Sequence, residues 1–81
     1  MQVEVRVFSG LEKLIPGVRF GQPIKVDITE HFTVRMLLEH FNIPEKEVFI
    51  ILVNGVNKGK GLNDKLVAGD QVSLFPPVGG G

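Results

Sequence analysis

The run Val48-Phe49-Ile50-Ile51-Leu52-Val53 is apolar at every position. It is too short for an independent helix and rich in β-branched side chains, so it reads as a central strand with apolar residues on both faces. The 81 residues of the chain supply little to cover those faces. A domain of this size buries only about 60% of the surface its unfolded chain exposes. One helical pattern is present: Val34, Leu37, Leu38 and Phe41 recur at helical spacing and form a single stripe, with Arg35, Met36, Glu39 and His40 facing water. A single helix covers one sheet face, which leaves apolar residues of the central strand on the other.

Alternation places the remaining strands. Val3, Val5 and Val7 interleave with Glu4 and Arg6, and Ile24-Lys25-Val26-Asp27-Ile28 repeats the pattern closely enough to pair antiparallel with it. Between them Ser9-Gly10 breaks the strand, Leu11, Leu14 and Ile15 line one side of a short helical turn, and Pro16-Gly17 ends it. Thr33 is positioned as the helix N-cap, with Phe32 and Leu37 at the staple positions, and Pro44 stops the helix from continuing. Asn54-Gly55 fits a type I′ turn into a short return strand near Val56 to Lys58. Leu62 and Leu66 plug the bottom of the core, and Ala68-Gly69-Asp70 turns into a last strand from Gln71 to Phe75. The order strand, strand, helix, strand, short strand, strand is an α+β, β-grasp layout: a mixed sheet of four to five strands with one main helix on one face. Residues 1–75 form the domain and 76–81 a C-terminal tail.

Composition excludes several functions. There is no cysteine, hence no disulfide, thiol nucleophile or thiolate zinc site. Nine basic side chains balance nine acidic ones, so no basic excess exists to neutralise nucleic-acid phosphates, and a protein partner is the better expectation. His31 and His40 stand apart from any acidic cluster at ligand spacing, so no metal site is expected. Lys58-Gly59-Lys60-Gly61 lacks the spacing of a phosphate-binding loop and reads as an exposed loop. With a strand at the start and no run of about 18 apolar residues, a cytoplasmic chain without a membrane segment is expected.

The uncovered sheet face and the tail carry the functional signal. If Val48, Ile50 and Leu52 pack inward, Phe49, Ile51 and Val53 point outward, and Phe49, Ile51 and Phe75 form one apolar patch suited to a partner. The alternative is that the long 9–23 segment folds over this face. Pro76-Pro77 lack N–H donors, so pairing stops there, and a polyproline path of ~3.1 Å per residue carries the chain outward. Val78 and three glycines follow, and the absence of side chains lets the Gly81 carboxylate pass a channel too narrow for a Cβ. A glycine-rich end alone is often only frayed chain. Joined to a Pro-Pro exit, an outward Phe75 and this fold pattern, it argues for a reactive terminus.

These residues resemble a known family. Asn63-Asp64-x-Leu66, Gly69-Asp70-x-Val72 and Phe75-Pro76-Pro77-Val78-Gly79-Gly80-Gly81 are similar to the small subunit of molybdopterin synthase, as are Phe8-x-x-Leu11 and Val53-Asn54. The related sulfur carrier of thiamine biosynthesis shares the Gly-Gly end. The resemblance implies a ubiquitin-like sulfur carrier that is not itself an enzyme and binds no cofactor stably. A ubiquitin-activating-like adenylyltransferase would use ATP and magnesium to adenylate Gly81, and a sulfur donor protein would convert it to a thiocarboxylate. The large subunit of molybdopterin synthase would then accept the sulfur. Phe49, Ile51, Phe75, Pro76, Pro77, Val78, Gly79 and Gly80 are the expected partner contacts. Carriers for tungsten cofactor, thiamine or another sulfur pathway, and a protein modifier conjugated through Gly81, share these features. A purely non-covalent binding module has no use for the terminal glycines.

Overall fold

A computed structural model describes residues 1–59 and 61–77. Five strands and one helix follow the expected order: β1 (Gln2–Val7), β2 (Ile24–Asp27), α1 (Val34–Phe41), β3 (Ile50–Val53), β4 (Val56–Asn57) and β5 (Gln71–Phe75). They form a single sheet ordered β2-β1-β5-β3-β4. β1 and β5 pair in parallel, with Glu4 beside Gln71 and Val7 beside Leu74, while the other pairs are antiparallel. This is the ubiquitin-like β-grasp fold.

The inner face is built by the alternation read from the sequence. Val3, Val5 and Val7 of β1, Val26 of β2 and Val72 and Leu74 of β5 are buried with Val34, Leu37 and Leu38 of the helix, and Phe41 packs partly against them. Leu66 is buried and Leu62 partly so, as expected of a plug. The helix starts where its cap demands. Thr33 is extended, and its hydroxyl accepts from the Met36 N–H at 3.3 Å. Two further N–H groups of the first turn donate outside the helix, Val34 to the Asp64 carbonyl and Arg35 to that of Leu62. Asn42 closes the other end in the left-handed conformation, φ 58°. At the Asn54-Gly55 turn both central φ angles are positive, 52° and 81°, as a type I′ turn requires.

The central strand departs from expectation in one respect. Val48 is buried, but so are Ile51 and Val53, whereas Phe49 is exposed and Ile50 and Leu52 are only partly covered. The alternation slips between Val48 and Ile51. Ile50 stands opposite Phe75 in the ladder, yet the Phe49 N–H also donates to the Phe75 carbonyl, at 2.8 Å. Two residues facing one partner make a β-bulge, and the extra residue shifts the phase. The expectations that Ile51 and Val53 point outward, and that Ile50 and Leu52 point inward, are therefore corrected. The strand also begins two residues late, after a 3₁₀ turn at Glu45–Glu47.

The 9–23 segment does not cover the outer face as a sheet of chain. It turns through a 3₁₀ element at Leu11–Leu14 and buries Leu11 and Ile15 in the main core, while Leu14, expected on the same side, is exposed. Gly21 then returns to β1, its N–H donating to the Val7 carbonyl at 2.9 Å.

The bulge makes a sharp contrast between adjacent side chains. Ile51→Ala empties a fully enclosed site and is expected to cost about 2–5 kcal/mol, against roughly 1 kcal/mol or less for Phe49→Ala on the outside. Urea denaturation of the two variants measures the difference, and similar losses would contradict the bulged register.

Candidate docking face and tail exit

Ladder register fixes which residues share the outer face. Lys25, Glu4 and Gln71 form one row across β2, β1 and β5; Arg6, Ser73, Leu52 and Asn57 form the next across β1, β5, β3 and β4. The last row joins Phe75 to Ile50 and, by the bulge, to Phe49. The face thus changes character along β5. Charged and polar groups occupy its start, including an Arg6–Glu4 ion pair at 3.5 Å, and apolar groups collect at its end.

Aromatic packing completes the apolar end. Phe8 follows β1 directly, and its ring stacks on Phe75 with centroids 4.7 Å apart and planes 9° from parallel. Phe20 meets Phe8 edge-on at 5.3 Å. These are the offset-stacked and edge-to-face arrangements that aromatic quadrupoles favour. Gly21 makes the approach feasible: a Cβ there would stand 3.3 Å from Phe8 Cε1, and its φ of 69° is one that side chains disfavour. Phe20 and Phe49 remain 63% and 51% exposed, so the cluster is a surface and not a second core. Apolar surface gathered in one place on a small domain is the kind that protein partners cover.

Of the expected contact residues, the structure brings Phe49 and Phe75 together beside Pro76, which continues from β5. Ile51 does not belong: it is 0% exposed and lies on the core side. Phe8, Phe20, Ile50 and Leu52 join instead. Phe8 had a signal in the β1 alternation, which puts it outward after Val7, but its partner Phe75 lies at the other end of the chain. Val78, Gly79, Gly80 and Gly81 lie outside the described residues.

The other end of β5 is held by polar bonds. Asp70, a buried carboxylate, accepts from Asn54 Nδ2 at 2.9 Å and from the Val67 N–H at 2.9 Å. The Asn54 side-chain oxygen accepts from the Gln71 N–H at 2.9 Å. The turn after β3 is thereby tied to the turn before β5. Among the described residues no group of three or more His, Cys, Asp or Glu side chains is placed to hold a metal ion, and no helix is long and apolar enough to cross a membrane.

The sequence pattern of the ThiS family matches residues 19–81. The chain belongs to the ThiS family. Solved structures agree with the assignment. SAMP1 from Haloferax volcanii is 28% identical, with both chains covered in full and a TM-score of 0.71. A complex of subunits 1 and 2 of the molybdopterin-converting factor from Helicobacter pylori contains a chain 30% identical to this one, again covered in full, with a TM-score of 0.61. Urm1 from Trypanosoma brucei, at 19% identity, 99% and 95% coverage and a TM-score of 0.70, bears on the fold alone. No curated protein sequence gives a match. The ThiS-family assignment makes this a ubiquitin-like sulfur carrier or modifier, a small carrier subunit in kind.

In this ThiS-family chain Gly21 holds the aromatic cluster together through the space it leaves. Gly21→Ala forces a side chain into a positive-φ site against Phe8, and a loss of about 1 kcal/mol or more is expected. Ring-proton chemical shifts of Phe8 and Phe75 should move together in this variant; unchanged shifts would mean that Gly21 does not support the stack.

Proposed function

We propose that this chain is the sulfur carrier of a molybdopterin-type cofactor pathway, with the Gly81 carboxylate as its working group. The observation that carries the reading is the position of the apolar face: Phe8, Phe49, Ile50 and Phe75 surround the end of β5, and Pro76, Pro77 and the four terminal residues follow from there. A partner seated on this face would have its active site within reach of the terminus. Phe49, Phe75, Pro76 and Pro77 serve as contacts, Phe8, Phe20 and Ile50 extend them, and Val78, Gly79 and Gly80 form the slender lead to Gly81.

A carboxylate resists nucleophilic attack because its leaving group is poor. A ubiquitin-activating-like adenylyltransferase overcomes this with ATP and magnesium: a Gly81 carboxylate oxygen attacks the α-phosphorus and pyrophosphate departs. Sulfur from a persulfide on the donor protein then attacks the acyl carbon and AMP leaves. Reductive cleavage of the resulting acyl disulfide by a thiol frees the thiocarboxylate. The acceptor is the large subunit of molybdopterin synthase, a reading supported by the likeness to subunit 1 or 2 of the Helicobacter pylori complex. Apart from the Gly81 carboxylate itself, the chain contributes no nucleophile and no general base, and it acts as a co-substrate in the cytoplasm. A carrier for thiamine, for tungsten cofactor or for another sulfur pathway is the alternative within the same chemistry.

A second reading has its own support. SAMP1 is also described as small archaeal modifier protein 1, and its likeness to this chain favours conjugation of activated Gly81 to protein lysines.

Intact-mass measurement after incubation with the cognate activating enzyme, ATP and a sulfur donor distinguishes the two. Exchange of one oxygen for sulfur at Gly81 is expected, and deletion of Gly81 should abolish it without altering folding. Lysine adducts in place of the thiocarboxylate would establish the modifier, and neither product would sink both readings. Phe75→Ala removes the centre of the docking face and should raise KM for activation by about five- to thirtyfold, an interface loss of roughly 1–2 kcal/mol. An unchanged KM would move the docking site elsewhere.

A further inference from the structure

The dipeptide Asn54-Gly55 is chemically the most labile amide site in the chain. Attack by a backbone nitrogen on the preceding asparagine side chain is fastest where the following residue is glycine, because no Cβ shields that nitrogen. Asn42, Asn57 and Asn63 are followed by Ile43, Lys58 and Asp64, all with side chains that obstruct the same attack. Gly55 is exposed, and among the described residues no acceptor meets its N–H. The nucleophile is ready.

The electrophile is restrained. Asn54 Nδ2 donates to Asp70 Oδ1, and Asn54 Oδ1 accepts from the Gln71 N–H, both at 2.9 Å. These bonds fix both ends of the side-chain amide against β5, across the sheet from its own turn, so Cγ cannot swing to the Gly55 nitrogen until both are released. Asp70 is itself held, because its second oxygen accepts from the Val67 N–H and the residue is buried. We infer that Asn54 is a latent modification site, protected from deamidation by the Asp70–Gln71 clamp and converted to a carboxylate when β5 loosens at its start.

The chemistry is closed without oxidant or cofactor. The Gly55 nitrogen forms a bond to Asn54 Cγ, the Cγ–Nδ2 bond breaks, and Nδ2 leaves as ammonia carrying the proton lost by Gly55. Water opens the five-membered imide to aspartate or isoaspartate. The product cannot return to the clamp. A carboxylate in place of the Nδ2 amide has no proton to donate and faces the Asp70 carboxylate, and like charges at this distance repel. Isoaspartate also adds a backbone atom to a turn whose type I′ geometry admits two residues. Modification therefore unfastens the start of the strand whose end carries Phe75 and the tail.

The test compares deamidation rates, read as the mass gain of an amide-to-acid exchange and mapped by peptide mass spectrometry. The full folded chain is set against a peptide spanning residues 52–58 at the same pH and temperature. Two hydrogen bonds must open before reaction, so the folded chain should react at least about tenfold more slowly. Asp70→Ala, and separately Asp70→Asn as a variant more apt to remain folded, should accelerate reaction at Asn54 toward the peptide rate. Asn57 and Asn63 in the same samples should stay slow. Equal rates in the folded chain and the peptide would overturn the inference. A folded Asp70 variant that reacts no faster than the parent would do so too. Asn54→Asp, which builds one of the two products directly, should lower Tm, and an undiminished Tm would overturn the claim that conversion unfastens the start of β5.

Discussion

The parallel ladder between β1 and β5 places the first and last strands side by side, Glu4 against Gln71 and Val7 against Leu74. A parallel pair needs a long crossover, and here the crossover is most of the protein: β2, the helix, β3 and β4 all lie between the two strands in sequence. Their packing is what keeps the ladder closed. The consequence at the surface is that residues just after β1 and at the end of β5 emerge at the same point. Phe8 meets Phe75 there, and Pro76 leaves from there. A change that slipped this register by one residue would turn Phe75 into the core and Leu74 out of it.

The two ends of β5 are held by different forces, and the difference matters to what each can do. At its start, Asp70, Asn54 and Gln71 exchange directional hydrogen bonds, partly shielded from water, that fix one geometry. At its end, the Phe8–Phe75 stack and the neighbouring Ile50 and Phe49 make contacts without polar partners, and much of their surface remains open. Hydrogen bonds lock the strand in register; the aromatic end is left available to a partner. Were these reversed, docking would compete with the bonds that hold the strand.

Much of this was legible in the residues. Alternation in Val3-Glu4-Val5-Arg6-Val7, the stripe from Val34 to Phe41 and the Asn54-Gly55 turn each carry a local signal that the structure follows. The phase of β3 was not legible, for a physical reason: in Val48-Phe49-Ile50-Ile51-Leu52-Val53 no polar residue marks either face, so an inserted residue leaves no trace in the pattern. Unbroken alternation points Ile51 outward, and the bulge against Phe75 puts it in the core instead. Local periodicity does not reveal Phe8 and Phe20 as members of the surface cluster, because their contacts depend on the fold of the 9–23 segment and on the distant Phe75. The terminal Val78-Gly79-Gly80-Gly81 motif lies outside the described residues, and its reading rests on the chemistry of the sequence alone.

A cluster of exposed aromatic rings on so small a domain has a cost in water that the rings themselves reduce. Phe75 lies flat on Phe8, and Phe8 is met by Phe20, so each ring is partly covered by another before any partner arrives. The stack also fixes rotamers that a partner would otherwise have to order, at about 0.5–1.5 kcal/mol for each side chain immobilised on binding. Gly21 is part of this economy, because a Cβ there would crowd Phe8 at 3.3 Å and displace its ring by a few tenths of an ångström. The bulge serves the same end from the opposite side by keeping both Phe49 and Ile50 out of the core beside the end of β5, where a regular strand would have sent one of them inward. On the proposed function, a face of side chains fixed in advance supplies recognition, and the terminal carboxylate supplies reactivity without having to supply affinity.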